Sequence, residues 1–206
     1  MKKIASSKHR NGKLTWMPCP QNEIDLPGLA YFSPLDELII ARKKDALHDV
    51  IGKKGTGYTI FNKNGQKVFL AVQEQRCKKF DLKIFNIYGN EVIEVKKPFK
   101  CCFNSVLVWA PPGNFVGSVK QVKSCKNTFI VKNNVGEIVL KLKANGLFHF
   151  VYQIMLADEK IGTVNKWRNA EVGNVKQFGI TFPVDLNVTD KAVLLGACFL
   201  IGFLKY

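Results

Sequence analysis

The sequence predicts a mainly β protein that is built from hairpins and ends in one apolar helix. Two observations lead to this prediction. Glycines recur at positions 65, 89, 113 and 136, spaced 24, 24 and 23 residues apart, between runs of β-branched and aromatic residues. Near the C-terminus, residues 192–204 form an apolar run that contains no charged residue.

The repeated unit is a hairpin, and its turn is rich in Asn and Gly. In the first copy, strand-like runs at residues 58–61 and 66–72 flank Asn62-Lys63-Asn64-Gly65. Asn and Gly tolerate the positive φ that a tight turn requires. Further copies lie at residues 82–95, 106–119, 129–142 and 151–164. Five hairpins give about ten strands, a number at which a sheet curls or closes, so both a barrel and a sandwich fit this spacing.

The apolar run after the hairpins predicts a helix that Thr189 or Asp190 could cap. A helix of this length spans about 20 Å, which is less than the ~30 Å hydrocarbon core of a membrane. A helix that is apolar on every face needs apolar surroundings, and the inward faces of a closed barrel would supply them. We therefore favour a buried central helix over membrane insertion. The residues expected in this core are Val193, Leu194, Leu195, Cys198, Phe199, Leu200 and Ile201.

The charge of the chain is concentrated in its middle. The 206 residues carry a net charge of +15, and residues 53–143 hold 17 basic against 5 acidic residues, or +12 of that total. Such an excess predicts a polyanionic partner, either an anionic membrane or nucleic acid. Nucleic acid is the less favoured partner, because Arg76 is the only arginine of the block and base recognition favours Arg. The candidate anionic-lipid contacts are Lys53, Lys54, Lys78, Lys79, Lys96, Lys97 and Lys100.

Composition and motifs argue against several other classes. At 47% hydrophobic and 23% charged residues, the chain is neither a disordered nor a multi-pass membrane protein. Its six cysteines include no Cys-x-x-Cys pair, and no secretory signal precedes them, which predicts reduced thiols inside the cell and no zinc site. His9, His48 and His149 are far apart, and His48 is interpreted as part of a solvated turn. We therefore predict no enzymatic activity and no small-molecule substrate.

Five segments resemble the phospholipid scramblase family. Trp16–Pro20 resembles the family's W-M-P-x-P, Leu26–Asp36 its P-P-G-L-E-Y-L-x-x-L-D, and Ala110–Gly113 its A-P-P-G turn. Phe178–Val188 is similar to F-G-I-x-F-P-x-D-L-x-V, and Lys191–Ile201 to K-A-V-x-x-G-A-C-F-L-I. Together these segments place the resemblance from about Trp16 to the end of the chain.

The resemblance implies a tubby-like fold, a closed twelve-stranded antiparallel barrel around a buried C-terminal helix. It assigns residues 1–15 to a basic disordered tail and residues 16–206 to the barrel domain, with the helix at about 190–204. It also implies a protein at the cytoplasmic face of the plasma membrane that moves phospholipids between leaflets without ATP and binds anionic lipids. The alternative is a basic barrel that binds anionic lipids or nucleic acid without moving lipids.

Calcium stimulates lipid movement in this family, through a loop of the pattern D-x-D-x-F-G-I-x-x-P-x-D. Here Asn174 and Lys176 stand where the family has its two leading carboxylates, and Asp185 is retained. Calcium takes six to eight oxygen ligands, several of them charged. The resemblance therefore implies at most a weak calcium site, at Asn174 and Asp185, and no other cofactor.

Two further family features are reduced in this sequence. The thioacylated cysteine cluster corresponds to Cys101 and Cys102, which are candidate palmitoylation sites, although one buried and one exposed thiol in a strand is an equal alternative. The nuclear import segment retains only Lys166 and Trp167, which argues against import by this route.

Overall fold

The computed structural model describes residues 15–20, 28–76, 79–98, 104–122, 125–145, 151–167 and 177–204. These residues form twelve strands, two α-helices and one short 3-10 helix. The helices are the 3-10 helix (Leu29–Phe32), α1 (Ala46–Ile51) and α2 (Val188–Leu204). The strands are β1 (Glu37–Ala41), β2 (Thr56–Asn62), β3 (Lys67–Arg76), β4 (Lys79–Phe85), β5 (Glu91–Lys96), β6 (Ser105–Trp109), β7 (Phe115–Val122), β8 (Cys125–Asn133), β9 (Ile138–Asn145), β10 (Val151–Leu156), β11 (Glu159–Trp167) and β12 (Gln177–Thr181).

The strands form one closed antiparallel barrel. Each strand pairs with the next along the chain, and β12 closes the ring by pairing with both β11 and β1. Ile180 of β12 stands opposite Leu38 of β1 on one side and Val164 of β11 on the other. The closed barrel confirms the predicted fold class and decides between barrel and sandwich.

The glycine repeat has a physical cause in the hairpin turns. Gly65, Gly89, Gly113 and Gly136 all adopt a positive φ, between 74° and 92°. In three of the turns an Asn lies three residues before the glycine, and its side-chain oxygen accepts backbone N–H groups from the turn. Asn86, for example, accepts from the N–H groups of residues 88 and 90, both at 3.0 Å. The Asn and Gly signals in the sequence therefore mark the same end of successive hairpins.

α2 fills the interior of the barrel. The seven helix residues expected in the core range from fully buried to 7% exposed, the latter value being that of Ile201. The ring of Phe199 packs edge-on against Tyr58 of β2 at 5.3 Å and against Phe178 of β12 at 5.5 Å, measured between ring centroids. Gly196 lies so close to β6 that a Cβ there would come within 2.9 Å of the Val108 side chain. The predicted buried helix is thus confirmed, and it begins at residue 188.

No helix within the described ranges is both long and apolar enough to cross a membrane.

The segment that precedes the 3-10 helix is attached to the start of β3. The N–H of Lys67 donates to the carbonyl of Thr15 at 2.9 Å, and the N–H of Met17 donates to the carbonyl of Lys67 at 2.8 Å. Of the predicted tail, residues 1–14 lie outside the described residues.

Candidate functional site

The short helix α1 is capped at both of its ends. At its start, the Asp45 side chain accepts a hydrogen bond from the N–H of Leu47 (3.1 Å), and the N–H of Asp45 donates to Nδ1 of His48 (2.8 Å). At its end, Gly52 takes the left-handed conformation with φ 67°. These interactions satisfy backbone groups that a six-residue helix would otherwise leave unpaired.

His48 anchors α1 to the barrel. The side chain is 4% exposed, and Nε2 lies 3.1 Å from the carbonyl oxygen of Tyr58 and 3.2 Å from that of Ala71. Because Nδ1 accepts from Asp45, the ring proton belongs on Nε2, from which it is donated to β2 and β3. The interpretation of His48 as part of a solvated turn is therefore wrong. The backbone carbonyls that bury it come from distant strands, and a local sequence pattern does not contain them.

α1 lies on the outer wall of the barrel. Tyr58 faces inward, against α2, so its neighbours in β2 face outward. The hydroxyl of Thr59 donates to the carbonyl of Lys43 at 2.9 Å, and a Cβ on Gly57 would come within 2.7 Å of the Lys44 side chain. Gly57 thus permits the close approach of the segment that carries α1.

The Asp45–Lys67 ion pair also holds α1 in place, with 2.5 Å between the carboxylate and the ammonium. Burial alone would raise the pKa of Asp45, but hydrogen bonds from Lys67 and from the N–H of Leu47 outweigh it and lower the pKa from its ordinary value. A carboxyl whose pKa is lower in the folded than in the unfolded protein stabilises the fold above its unfolded pKa, and this contribution is lost as the pH falls.

We therefore expect Asp45→Asn to lower the free energy of unfolding at pH 7 by about 1 kcal/mol, because Asn retains the helix cap but not the ion pair. The difference from the wild type should begin to shrink near pH 4, where the unfolded carboxyl takes up its proton, and should go on shrinking as the pH falls through the lowered pKa of the folded carboxyl. Urea unfolding at pH 7 and at about pH 2.5 measures both values. The control is Asp49→Asn, an exposed position of the same helix. An equal loss of stability at both pH values would contradict the role of the charge.

α1 displays a cluster of cations. Arg42, Lys43 and Lys44 precede the helix, Lys53 and Lys54 follow it, and all five side chains are exposed. Within the described part of the chain, none of the five forms a salt bridge, and the exposed Asp49 is the nearest acidic neighbour in sequence to Lys53. We call these five residues the α1 basic surface.

The other lysines that were predicted to contact lipid lie outside the α1 basic surface. Lys96 lies 2.5 Å from the Glu94 carboxylate and 5.8 Å from the centroid of the Trp109 ring, so its charge is already partnered. Lys97 is partly buried, and its N–H donates to the carbonyl of Phe80. The backbone of Lys79 pairs with Arg76, while Lys78 and Lys100 lie outside the described residues.

Sequence reasoning missed the first half of the α1 basic surface. Arg42, Lys43 and Lys44 lie before residue 53. Six acidic residues in the same stretch, 1–52, offset their charge when the net charge of that stretch is counted. The run of three consecutive basic residues was the signal that could have found them. The barrel unites them with Lys53 and Lys54 because α1 is only six residues long.

A second cluster surrounds the buried ammonium of Lys191, in the first turn of α2. Lys191 is fully buried, and Nζ donates to the carbonyl oxygens of Phe32 (3.0 Å), Leu35 (2.9 Å) and Val184 (2.6 Å). It also lies 5.3 Å from the centroid of the Phe182 ring. Burial lowers the pKa of Lys191, and the charges of two nearby aspartates oppose that shift. One ammonium thus joins α2, the 3-10 helix region and the loop after β12.

The whole barrel, from the strand-paired Met17 to α2, corresponds to one known family. The family model described as Scramblase matches residues 17–206. The chain belongs to the scramblase family. This membership confirms the resemblance that the sequence motifs indicated.

Individual scramblases are similar over most of their length. Phospholipid scramblase 1 of Homo sapiens is 32% identical, over 93% of this chain and 70% of its own length. Phospholipid scramblase 2 of Bos taurus is 31% identical, over 94% and 76%, and phospholipid scramblase family member 5 of Homo sapiens is 34% identical, over 87% and 77%. An X-ray structure of a protein from Arabidopsis thaliana shares the fold at 11% identity, with a TM-score of 0.53 over 84% of this chain and 96% of that one.

The loop that corresponds to the scramblase calcium segment offers few free ligands among its described residues. Asp185 is exposed, the carbonyl of Val184 accepts from the Lys191 ammonium, and the Asn187 side chain accepts from the N–H and hydroxyl of Thr189. Across the described ranges, no group of three His, Cys, Asp or Glu side chains could hold a metal ion. Of these described loop residues, Asp185 supplies a carboxylate, while the candidate Asn174 lies outside the described residues, as do Lys176 and the palmitoylation candidates Cys101 and Cys102.

Proposed function

We propose that this scramblase-family protein binds anionic phospholipid membranes through its α1 basic surface and moves phospholipids between leaflets without ATP. The observation that carries the proposal is the cluster of five exposed cations on a chain of this family. Relatives that are 31%, 32% and 34% identical carry the name phospholipid scramblase. Lipid movement makes and breaks no covalent bond, so the proposal requires a lipid-binding surface and no catalytic residue.

The electrostatics of the α1 basic surface favour a membrane. Each basic residue close to an anionic leaflet contributes about 1 kcal/mol of attraction, which decays within a Debye length of about 8 Å at physiological salt. Five cations on one short segment can approach a flat surface together, whereas Lys83 and Lys96 on β4 and β5 are neutralised by Glu91 and Glu94. Binding is therefore expected to require anionic lipid and to weaken with salt.

The proposal does not include a requirement for calcium. Lys191 already supplies a positive charge to the Val184 carbonyl in the loop that follows β12, and Lys176 adds a charge that would repel a divalent cation. Membrane binding and lipid movement should therefore persist when a chelator removes calcium.

The proposed location is the cytoplasmic face of the plasma membrane, whose inner leaflet is rich in anionic lipids. A polybasic surface alone gives reversible attachment, and stable anchoring requires a second signal. Acylation at Cys101 and Cys102 would supply that signal, and it remains a prediction.

We expect the double variant Lys53→Gln, Lys54→Gln to bind vesicles that contain phosphatidylserine about thirtyfold more weakly than the wild type, since two of five attractive charges, each contributing about 1 kcal/mol, are removed. Flotation with phosphatidylserine vesicles and with neutral phosphatidylcholine vesicles measures the effect, and proteoliposomes report leaflet exchange with and without a chelator. The matched control is Lys143→Gln, Lys160→Gln, which removes two exposed lysines on β9 and β11, away from α1.

Three outcomes would argue against parts of the proposal. Equal binding to neutral and anionic vesicles would exclude the electrostatic surface. Binding to anionic vesicles without leaflet exchange would leave a lipid-binding barrel that does not move lipids. Nucleic acid would be favoured as the partner if low concentrations of duplex DNA displaced the protein completely from vesicles and the Lys53 and Lys54 variant showed no loss of vesicle binding.

A further inference from the structure

Two apolar side chains project into solvent beside the α1 basic surface. Val50, near the end of α1, is 80% exposed, and Tyr88, in the turn between β4 and β5, is 72% exposed. The two segments adjoin, because a Cβ placed on Gly89 would lie 3.8 Å from Cγ1 of Ile51. The turn that carries Tyr88 therefore adjoins the end of α1 that carries Val50.

An exposed apolar side chain alone is ordinary. Val135, in the turn between β8 and β9, is 73% exposed, yet residues 133–137 contain Glu137 and no basic residue. Val50 and Tyr88 differ, because Val50 lies in the chain between the exposed residues 42–44 and 53–54 of the α1 basic surface, and the turn that carries Tyr88 adjoins α1. We call Val50, Tyr88 and the α1 basic surface together the α1 corner.

We propose that the α1 corner inserts Val50 and Tyr88 into the interfacial region of an anionic bilayer, so that the barrel docks on its β2–β4 wall. This inference rests on the proposed function and adds the part of the surface that enters the lipid. The combination suits an anionic leaflet, because cations are attracted to the head groups while an aliphatic and an aromatic side chain gain by leaving water. Tyrosine in particular is enriched at the membrane–water interface.

The composition of the α1 corner also sets the strength of the attachment. Two inserted side chains bury a small apolar area, and the exposed carboxylate of Asp49 beside Val50 is repelled by anionic head groups. The α1 corner is therefore built for reversible docking. Replacement of Asp49 by Asn should strengthen binding to anionic vesicles.

The test is flotation of the full chain with phosphatidylserine vesicles, at low and at high salt. We expect the double variant Val50→Ser, Tyr88→Ser to bind about tenfold more weakly, because it loses apolar burial but no charge. This loss should persist at high salt, whereas the loss caused by Lys53→Gln, Lys54→Gln should diminish there, since salt screens only the electrostatic part. Both positions are exposed, so circular dichroism should report an unchanged fold.

The matched control is Val135→Ser, an equally exposed position six strands around the ring from β2 and β3. It should bind within about twofold of the wild type. The inference is overturned if the wild type requires anionic lipid while Val50→Ser, Tyr88→Ser binds like Val135→Ser. A wild type that ignores lipid charge would instead overturn the proposed function, so the two failures are distinguishable.

Discussion

Deletion of residues 188–206 is expected to unfold the barrel rather than leave a folded shell. The seven core residues of α2 are at most 7% exposed, and the inward side chains of β2, β6 and β12 pack against them. Loss of a single buried Leu side chain typically costs 2.7–5 kcal/mol, about the size of the whole stability of a marginal domain. Removal of the complete helix exceeds what the strand pairing alone could offset.

Near-ultraviolet circular dichroism and urea unfolding of the shortened chain measure this effect. We expect no fixed aromatic environment and no cooperative transition, because Tyr58 and Phe178 lose the ring of Phe199. Deletion of residues 205–206 alone is the control and should leave the transition in place. A cooperative transition after removal of all of α2 would show that the helix is a dispensable appendage.

The barrel could be predicted because its determinants are local and repeated. Each Asn and Gly turn needs only its own few residues, and α2 is a continuous apolar run. Closure of the ring was harder to predict from the sequence, because β1 pairs with β12 across about 140 residues, and such distant pairings leave no local pattern. Five hairpins gave about ten strands, and the family resemblance gave the twelve that the barrel has.

The candidate site was harder to predict for the same physical reason. α1 has six residues, too few to show helical periodicity, and His48 is buried by carbonyls from β2 and β3. Lys96 resembles any other lysine of the basic block until its strand is recognised, because in a strand Glu94 and Lys96 lie on the same face. The net charge of a stretch of sequence predicts the sign of the partner's charge. The ion pairs in the folded protein decide which charged side chains remain available to that partner.

Replacement of the Lys191 ammonium is expected to have the largest effect of any single substitution considered. Lys191→Met has a similar volume but no donor, so the carbonyls of Phe32 and Leu35 each lose a buried hydrogen bond and that of Val184 loses a partly buried one. An unsatisfied buried acceptor costs about 1–3 kcal/mol, although the Phe32 carbonyl retains the N–H of Leu35. We therefore expect a loss of about 3 kcal/mol in the free energy of unfolding.

Urea unfolding compares three substitutions. Lys160→Met removes an exposed lysine and should change the stability by less than about 0.5 kcal/mol. Lys191→Gln retains two donors and should be less destabilising than Lys191→Met, which also provides a measurement if the Met variant does not fold. A Met variant as stable as the wild type would show that the carbonyls find other donors. The predicted order would instead show that an internal ammonium holds the loop after β12 against the 3-10 helix region.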